Sequence, residues 1–210
     1  MENKYRHERK YLIEQKDLNQ FFIELYSQNF IEIFSPRFIN NIYYDSIDLS
    51  ALRENIEGIS KRTKARVRWY NEDLEHSIFE LKIKNSDTNI KKQIKCNLKN
   101  TNNYSLGHVL NENSKFLTQN KLENFVPVIK NRYFRKYFLS PCKKFRITID
   151  SKVSSTSLLS SITYNENKII IEIKHKTSEL FSHNFSNLTL NRYSKYSKGM
   201  LSTLNFINQY

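Results

Sequence analysis

The chain has 210 residues, and 34 Lys and Arg against 21 Asp and Glu give a formal net charge of +13. Its length suits one domain, 1–210, able to bury roughly 70% of its unfolded surface without disulfides, while the charge calls for an anionic partner such as phosphate chains, nucleotides, nucleic acid or an acidic membrane surface. Three Gly and three Pro exclude a Gly-rich phosphate loop and a flexible linker, and two Cys are too few for a disulfide framework. No stretch of about 18 apolar residues and no signal peptide is found, so a soluble, cytoplasmic protein is expected.

In chain order, a strand over about Arg6–Glu14 meets a helix from Asp17 to Ser27, where Leu18, Phe21, Phe22 and Leu25 recur at helical spacing. A strand over Phe38–Tyr44 precedes a short helix, capped by Asp45 or Ser46, that stops near Gly58. Three strands, Lys61–Tyr70, His76–Lys84 and Asn89–Cys96, joined by turns at Asn71-Glu72-Asp73 and Asn85-Ser86-Asp87, predict an antiparallel meander. Leu106, Val109, Leu110, Phe116, Leu117 and Leu122 predict one or two helices over Asn102–Asn124. Strands return at Pro127–Leu139, at Lys143–Asp150, in a short piece after Lys152, and at Lys168–Lys176. The stretch Ser194–Asn208 carries Met200, Leu201, Leu204, Phe206 and Ile207 on a helical stripe.

Side chains alternate along a strand, so Arg62, Lys64, Arg66 and Arg68 share one face and Thr63, Ala65, Val67 and Trp69 the other. Glu80, Lys82 and Lys84 oppose Phe79, Leu81 and Ile83 in the same way, and Glu8 and Lys10, then Glu172, Lys174 and Lys176, repeat the pattern. About eight such strands admit two arrangements: an open sheet whose charged face meets water, or a closed barrel whose charges line a lumen. A row of cations spaced about 7 Å apart matches alternate phosphoryl groups of an extended chain. The same row could bind nucleic acid, but Glu8, Glu80 and Glu172 among the cations would repel a phosphodiester backbone unless they held a metal. Mg²⁺ and Mn²⁺ take a few carboxylates plus phosphate oxygens, which makes Glu172 the first candidate ligand and Glu80 the second. A structural ion pair with a neighbouring Lys or Arg is the alternative for each.

Arg6-His-Glu8-Arg-Lys10-Tyr11, Tyr43-Tyr44-Asp45, Lys64-Ala-Arg66-Val-Arg68-Trp-Tyr70, Glu80-Leu-Lys82, Lys91-Lys92, Tyr133-Phe-Arg135, Arg146-Ile-Thr148-Ile-Asp150, Glu172-Ile-Lys174 and Ser194-Lys195-Tyr196 together resemble the VTC domain. This is the polyphosphate polymerase domain of the vacuolar transporter chaperone complex, in the triphosphate tunnel metalloenzyme (CYTH-like) superfamily. The resemblance implies an α+β fold, an antiparallel β-barrel tunnel with flanking helices, and transfer of the γ-phosphoryl group of ATP to a growing polyphosphate chain with Mn²⁺ or Mg²⁺. It implies that Lys10, Lys64, Arg66, Arg68, Lys82, Arg135 and Lys195 bind triphosphate or product, with Lys92, Arg146 and Lys174 beside them and Ser194 adding a hydrogen bond. Lys195, Arg66, Arg68, Lys82 and Glu172 would carry catalysis, Glu172 would hold the metal, with Glu80 and Glu8 as further ligands, and Tyr43 or Tyr133 would shape the wall. Partners on this reading are ATP and pyrophosphate or polyphosphate, without nucleic acid. A tripolyphosphatase or nucleoside triphosphatase, or a non-catalytic polyphosphate-binding module, is the alternative on the same scaffold. The superfamily signature ExExK stands here as Arg6-x-Glu8-x-Lys10, one carboxylate short. The phosphate-sensing and membrane-spanning modules of the eukaryotic complex are lacking, so translocation would require a membrane partner encoded separately.

Overall fold

The computed structural model describes residues 7–85, 88–99, 102–111, 113–175 and 185–204. Arg6, the turn residues Ser86 and Asp87, Lys176, and Phe206 and Ile207 lie outside the described residues. The strands are β1 (His7–Ile13), β2 (Ile31–Ser46), β3 (Arg62–Tyr70), β4 (Asp73–Asn85), β5 (Thr88–Cys96), β6 (Phe125–Leu139), β7 (Phe145–Ser157), β8 (Thr163–Asn165), β9 (Ile169–His175) and β10 (Thr189–Leu190). The helices are α1 (Leu18–Ser27), α2 (Ser50–Glu57), α3 (Leu106–Val109), α4 (Ser114–Gln119) and α5 (Lys195–Leu204), with a 3₁₀ turn at Gln15–Asp17. The fold is thus α+β and antiparallel with flanking helices, as expected. Its hydrogen-bonded order, β10-β1-β9-β7-β6-β2-β3-β4-β5 with β8 beside β7, is a path with two ends and more strands than the eight anticipated.

Several boundaries differ from the sequence reading. β2 begins seven residues before Phe38, because Ser35-Pro36 and the mostly exposed side chains of Ile31–Ser35 hide its alternation. The two pieces read at Lys143–Asp150 and after Lys152 are one strand, β7, interrupted in pattern where Lys152 adopts φ 52°. The two-residue β10 and three-residue β8 are too short to carry a period.

Cα packing divides the chain into two compact units, each built from three segments. The first comprises Met1–Phe38, Tyr133–Val153 and Asn165–Tyr193; the second comprises Ile39–Arg132, Ser154–Tyr164 and Ser194–Tyr210. The long strands β2, β6 and β7 therefore each contribute residues to both units.

In the first unit, α1 buries Phe21 and Leu25 against Ile13, Phe138, Ile147, Ile149, Ile169, Ile171 and Ile173. Each of those two helix side chains contributes about 1.5–3 kcal/mol by leaving water. The register aligns Ile13 with Ile169 and Ile147 with Ile173, which puts every odd-numbered isoleucine of β9 on this apolar face. Glu172 and Lys174 are left on the other.

In the second unit, Ala65, Val67 and Trp69 of β3 and Phe79 and Leu81 of β4 pack under Leu106, Val109 and Leu110 at α3. A separate cluster lies around α5, where Tyr196 and Met200 meet Tyr43, Leu52, Val128 and Ile129. Because Tyr43 is the register partner of Arg66, α5 docks on the face that carries the cations. Gly199 allows the approach: a Cβ there would lie 2.7 Å from Ser155 Oγ and 2.9 Å from Ile129 Cδ1. The Asp45 carboxylate accepts from the Ala51 and Leu52 amides at 2.9 Å each and also from the Tyr196 hydroxyl, tying α2 to α5.

Candidate functional site

In the second unit the meander aligns Lys64 with Lys82, Arg66 with Glu80, Lys82 with Lys91 and Glu80 with Gln93, so these side chains share one face. Arg66 donates from Nε and Nη2 to Glu80 Oε2 at 2.7 and 2.5 Å, and from Nη1 to the Tyr43 hydroxyl at 3.1 Å. Glu80 Oε1 accepts from Gln93 Nε2 at 2.8 Å and lies 2.9 Å from Lys91 Nζ. Arg68 donates from Nε to Asn41 Oδ1 at 2.9 Å. Lys64 Nζ donates to Ser194 Oγ at 3.2 Å and stands over the Tyr196 ring. Ser194 in turn accepts from the Ser197 amide at the start of α5, next to the half-buried Lys195.

The charges act strongly on this face. Burial pushes the Glu80 carboxyl up, but Arg66 and Arg68 outweigh it and hold the group down at about 2. Burial likewise raises the Tyr43 phenol, yet Arg66, Lys64 and Arg68 together bring it down to about 8.

In the first unit, Lys10 pairs in register with Glu172, Glu8 with Lys174, Thr148 with Glu172 and Arg146 with Lys174. Arg135 forks onto Asp150, Nε to Oδ1 at 2.5 Å and Nη2 to Oδ2 at 2.7 Å, and lies 3.9 Å from Glu172. Lys174 Nζ stands 2.6 Å from Glu172 Oε1 and 3.6 Å from Glu8 Oε2. Lys10 Nζ donates to the Tyr193 carbonyl at 3.0 Å and lies 3.3 Å from Glu8. Burial opposes ionisation of Glu172, but Lys174, Arg135 and Lys10 keep its carboxyl far below the usual range. A cleft of about 440 Å³ lies between residues 8–10 of β1 and the segment 190–193, beside this cluster and not lined by Glu172, Lys174 or Arg135.

A family model described as the VTC domain matches residues 5–204. The chain belongs to the VTC domain family. That membership makes it a polyphosphate-related tunnel enzyme, of a class that depends on divalent metal. No curated protein matches the chain. Solved structures similar to this VTC domain include a candidate adenylate cyclase from Vibrio parahaemolyticus, with 11% identity, 85% of this chain and 79% of that one covered, and a TM-score of 0.49. A candidate adenylate cyclase from Bacillus halodurans is 13% identical over 96% of this chain and 87% of its own, at TM-score 0.49. A candidate adenylyl cyclase from Hippeastrum, described as having a dominant triphosphatase activity, is 12% identical over 96% and 86%, at TM-score 0.48. No described helix of this VTC domain is long and apolar enough to cross a membrane.

The residues singled out in the sequence fall into two groups. Lys64, Arg66, Arg68, Glu80, Lys82, Ser194 and Lys195 belong to the second unit; Glu8, Lys10, Arg135, Arg146, Glu172 and Lys174 belong to the first. Lys92 is not with them. It pairs with Leu81, donates to Asn120 Oδ1 at 2.7 Å and stands over Phe116, on the face covered by α4. Lys91 occupies the charged face instead, a parity that follows from pairing Asn85 with Thr88 across the hairpin. Sequence reasoning passed over Gln93 and Asn41, and named Asp150 and Thr148 only within a motif, without the parts they play beside the charged groups. The Thr148 hydroxyl is buried beside Glu172 and has no hydrogen-bond partner among the described residues.

Among the described residues no three His, Cys, Asp or Glu side chains converge as a metal cage. Mg²⁺ and Mn²⁺ do not require one, since one or two carboxylates plus phosphate oxygens and water suffice. Glu172, with Glu8 on the same lysine and the unpaired Thr148 hydroxyl alongside, fits that donor set. Glu80 has both oxygens committed to Arg66, Gln93 and Lys91.

Proposed function

We propose that this VTC domain is a cytoplasmic polyphosphate polymerase that uses ATP. A terminal phosphate oxygen of the growing chain attacks the γ-phosphorus, the bond from that phosphorus to the β,γ-bridging oxygen breaks, and ADP leaves. The observation that carries the reading is the excess of cations on the second unit's face: Lys64, Arg66, Arg68, Lys82 and Lys91 stand with Glu80 as the carboxylate they share. Crowding so much positive charge onto one sheet face is unfavourable without an anion to offset it, and a chain of phosphoryl groups supplies one at matching spacing.

No protein nucleophile is needed. Arg66 and Arg68 are held rigid by Glu80, Tyr43 and Asn41, so their guanidinium groups present charge to phosphate oxygens without reorganisation. Lys64, Lys82 and Lys195 add point charges, and Ser194 presents a hydroxyl at the start of α5. Lys10, Arg135, Arg146 and Lys174 bind phosphate on the first unit's face. Glu172, with Glu8, would hold Mg²⁺ or Mn²⁺, which supplies charge neutralisation on phosphate oxygens. Glu80 orients Arg66 instead of acting as a ligand, and Lys91 takes the place that the family resemblance implied for Lys92.

The test is incubation with ATP, Mn²⁺ and a pyrophosphate primer, followed by phosphorus NMR. Growth of internal phosphoryl signals is expected for the parent and its loss for Lys195→Ala and Glu172→Ala. Orthophosphate release from tripolyphosphate without chain growth would replace the polymerase by a hydrolase. Tight binding without turnover, unchanged by Glu172→Ala, would leave a polyphosphate-binding module.

A further inference from the structure

Within the first unit a line of alternating rings and guanidinium groups leads from Glu172 to the surface. Arg135, 3.9 Å from Glu172, places Cζ 5.2 Å from the Tyr133 ring centre and 5.9 Å from that of Tyr137. The Tyr137 ring meets a second guanidinium, Arg37, at 5.1 Å, and Arg37 stands 5.6 Å from the Phe34 ring. Phe34 and Tyr137 pack edge to face, with centres 5.5 Å apart at 83°. Tyr133 is buried, Tyr137 half-buried, and Phe34 51% exposed, so the line runs from the interior outward.

Each part has a structural use, since cations over rings stabilise one another modestly. The combination goes further. An edge-on partner and a cation hold Phe34 in one orientation while half of its surface stays open. The adjoining guanidinium groups make the surroundings positive, and the far end of the line is a set of groups that bind phosphate. A ligand with a flat aromatic group at one end and a triphosphate at the other satisfies every part of that arrangement.

We propose that Phe34, Arg37 and Tyr137 form a stacking platform for the nucleobase of a nucleoside triphosphate whose phosphates reach toward Arg135, Lys174 and Glu172. The inference rests on the phosphate-handling reading of that same face. Stacking is tolerant of base identity because every base presents a π-face. The platform therefore separates nucleotides from inorganic tripolyphosphate and does not separate ATP from GTP.

The experiment is calorimetric titration of the full chain with ATP, GTP and tripolyphosphate, each with Mg²⁺, for the parent, Phe34→Ala and Phe34→Trp, with circular dichroism to follow the fold. Loss of about tenfold in affinity for both nucleotides is expected in Phe34→Ala, with tripolyphosphate changed less than about twofold. Phe34→Trp should recover nucleotide affinity, and its fluorescence should be quenched by ATP and not by tripolyphosphate. Equal effects on nucleotides and tripolyphosphate, or none on either, would overturn the platform while leaving the phosphate site standing. A parent that binds tripolyphosphate but no nucleotide also overturns it, and a parent that binds none of the three overturns the phosphate reading as well.

Discussion

On the second unit's face Lys64, Arg66, Arg68, Lys82 and Lys91 stand with Glu80, whereas on the first unit's face Lys10, Arg135 and Lys174 are matched by Glu8, Asp150 and Glu172. Both faces are rows of alternating strand residues, and both contain carboxylates held ionised by neighbouring cations. Their electrostatic states differ. With Arg146, the first counts four cations against three carboxylates, so most of its charge is paired within the fold and a small excess meets a ligand; the second counts five against one and keeps far more positive charge for a ligand to offset. A charged strand face is thus not one kind of object. The ratio of carboxylates to cations, and how completely each carboxylate is used, sets how much of the charge is spent on structure and how much is left for a ligand.

The largest expected effect tests the structural side. Arg135→Ala leaves Asp150, a carboxylate with no exposed surface, without its fork, and should cost about 3–5 kcal/mol in urea unfolding. The same titration tests the proposal that the chain is one domain: because β2, β6 and β7 run through both units, a single transition is expected for the parent. Two transitions would make the units independent.

On the receptor side the effects should reverse. Lys82→Ala removes an exposed cation, so tripolyphosphate affinity should fall about tenfold while stability moves by less than about 0.5 kcal/mol. Lys92→Ala, on the opposite face of the same meander, should leave that affinity unchanged. Equal losses from the two variants would mean that binding follows net charge alone and not the face.

A smaller effect comes from Tyr43. Its phenol sits at about 8 in the folded protein against an ordinary value of 10.0, so the native state sheds this proton first. The stability contributed by the phenolate beside Arg66 is fully present above pH 10 and is lost as pH falls through about 8. Phosphate binding should respond in the opposite sense, weakening a few-fold as pH rises through about 8, because the phenolate then competes for Arg66. A profile of tripolyphosphate affinity from pH 7 to 9 checks this, and Tyr43→Phe should flatten it.

The alternation of the strands was legible in the sequence because it is a local property. Ala65, Val67 and Trp69 are buried beneath helices while Lys64, Arg66 and Arg68 face the other way. What was hidden depends on partners distant in sequence. Adjacent lysines, Lys91 and Lys92, look alike until pairing assigns them to opposite faces. A glutamate among cations reads as a metal ligand until its neighbours are counted, and Gln93, which completes the use of Glu80, carries no charge to draw attention. The stripe of α5 announces a helix that docks, but the same stripe would suit either side of the sheet. The stacking of Tyr196 on Tyr43, at 5.2 Å between ring centres, and the bond from Lys64 to Ser194 show that it lies on the charged side.

The close seat of Gly199 against Ser155 and Ile129 has a bearing on chemistry that takes place elsewhere. The first turn of the same helix carries Ser194 and Lys195, and the Ser194 hydroxyl holds the Lys64 ammonium. The distance of that turn from the sheet is set by the thickness of whatever side chain occupies position 199, as a shim sets the gap of a joint. A residue with no reactive group thereby calibrates the spacing of two cations, and a single added methyl group would change the dimensions of the site without touching any residue in it.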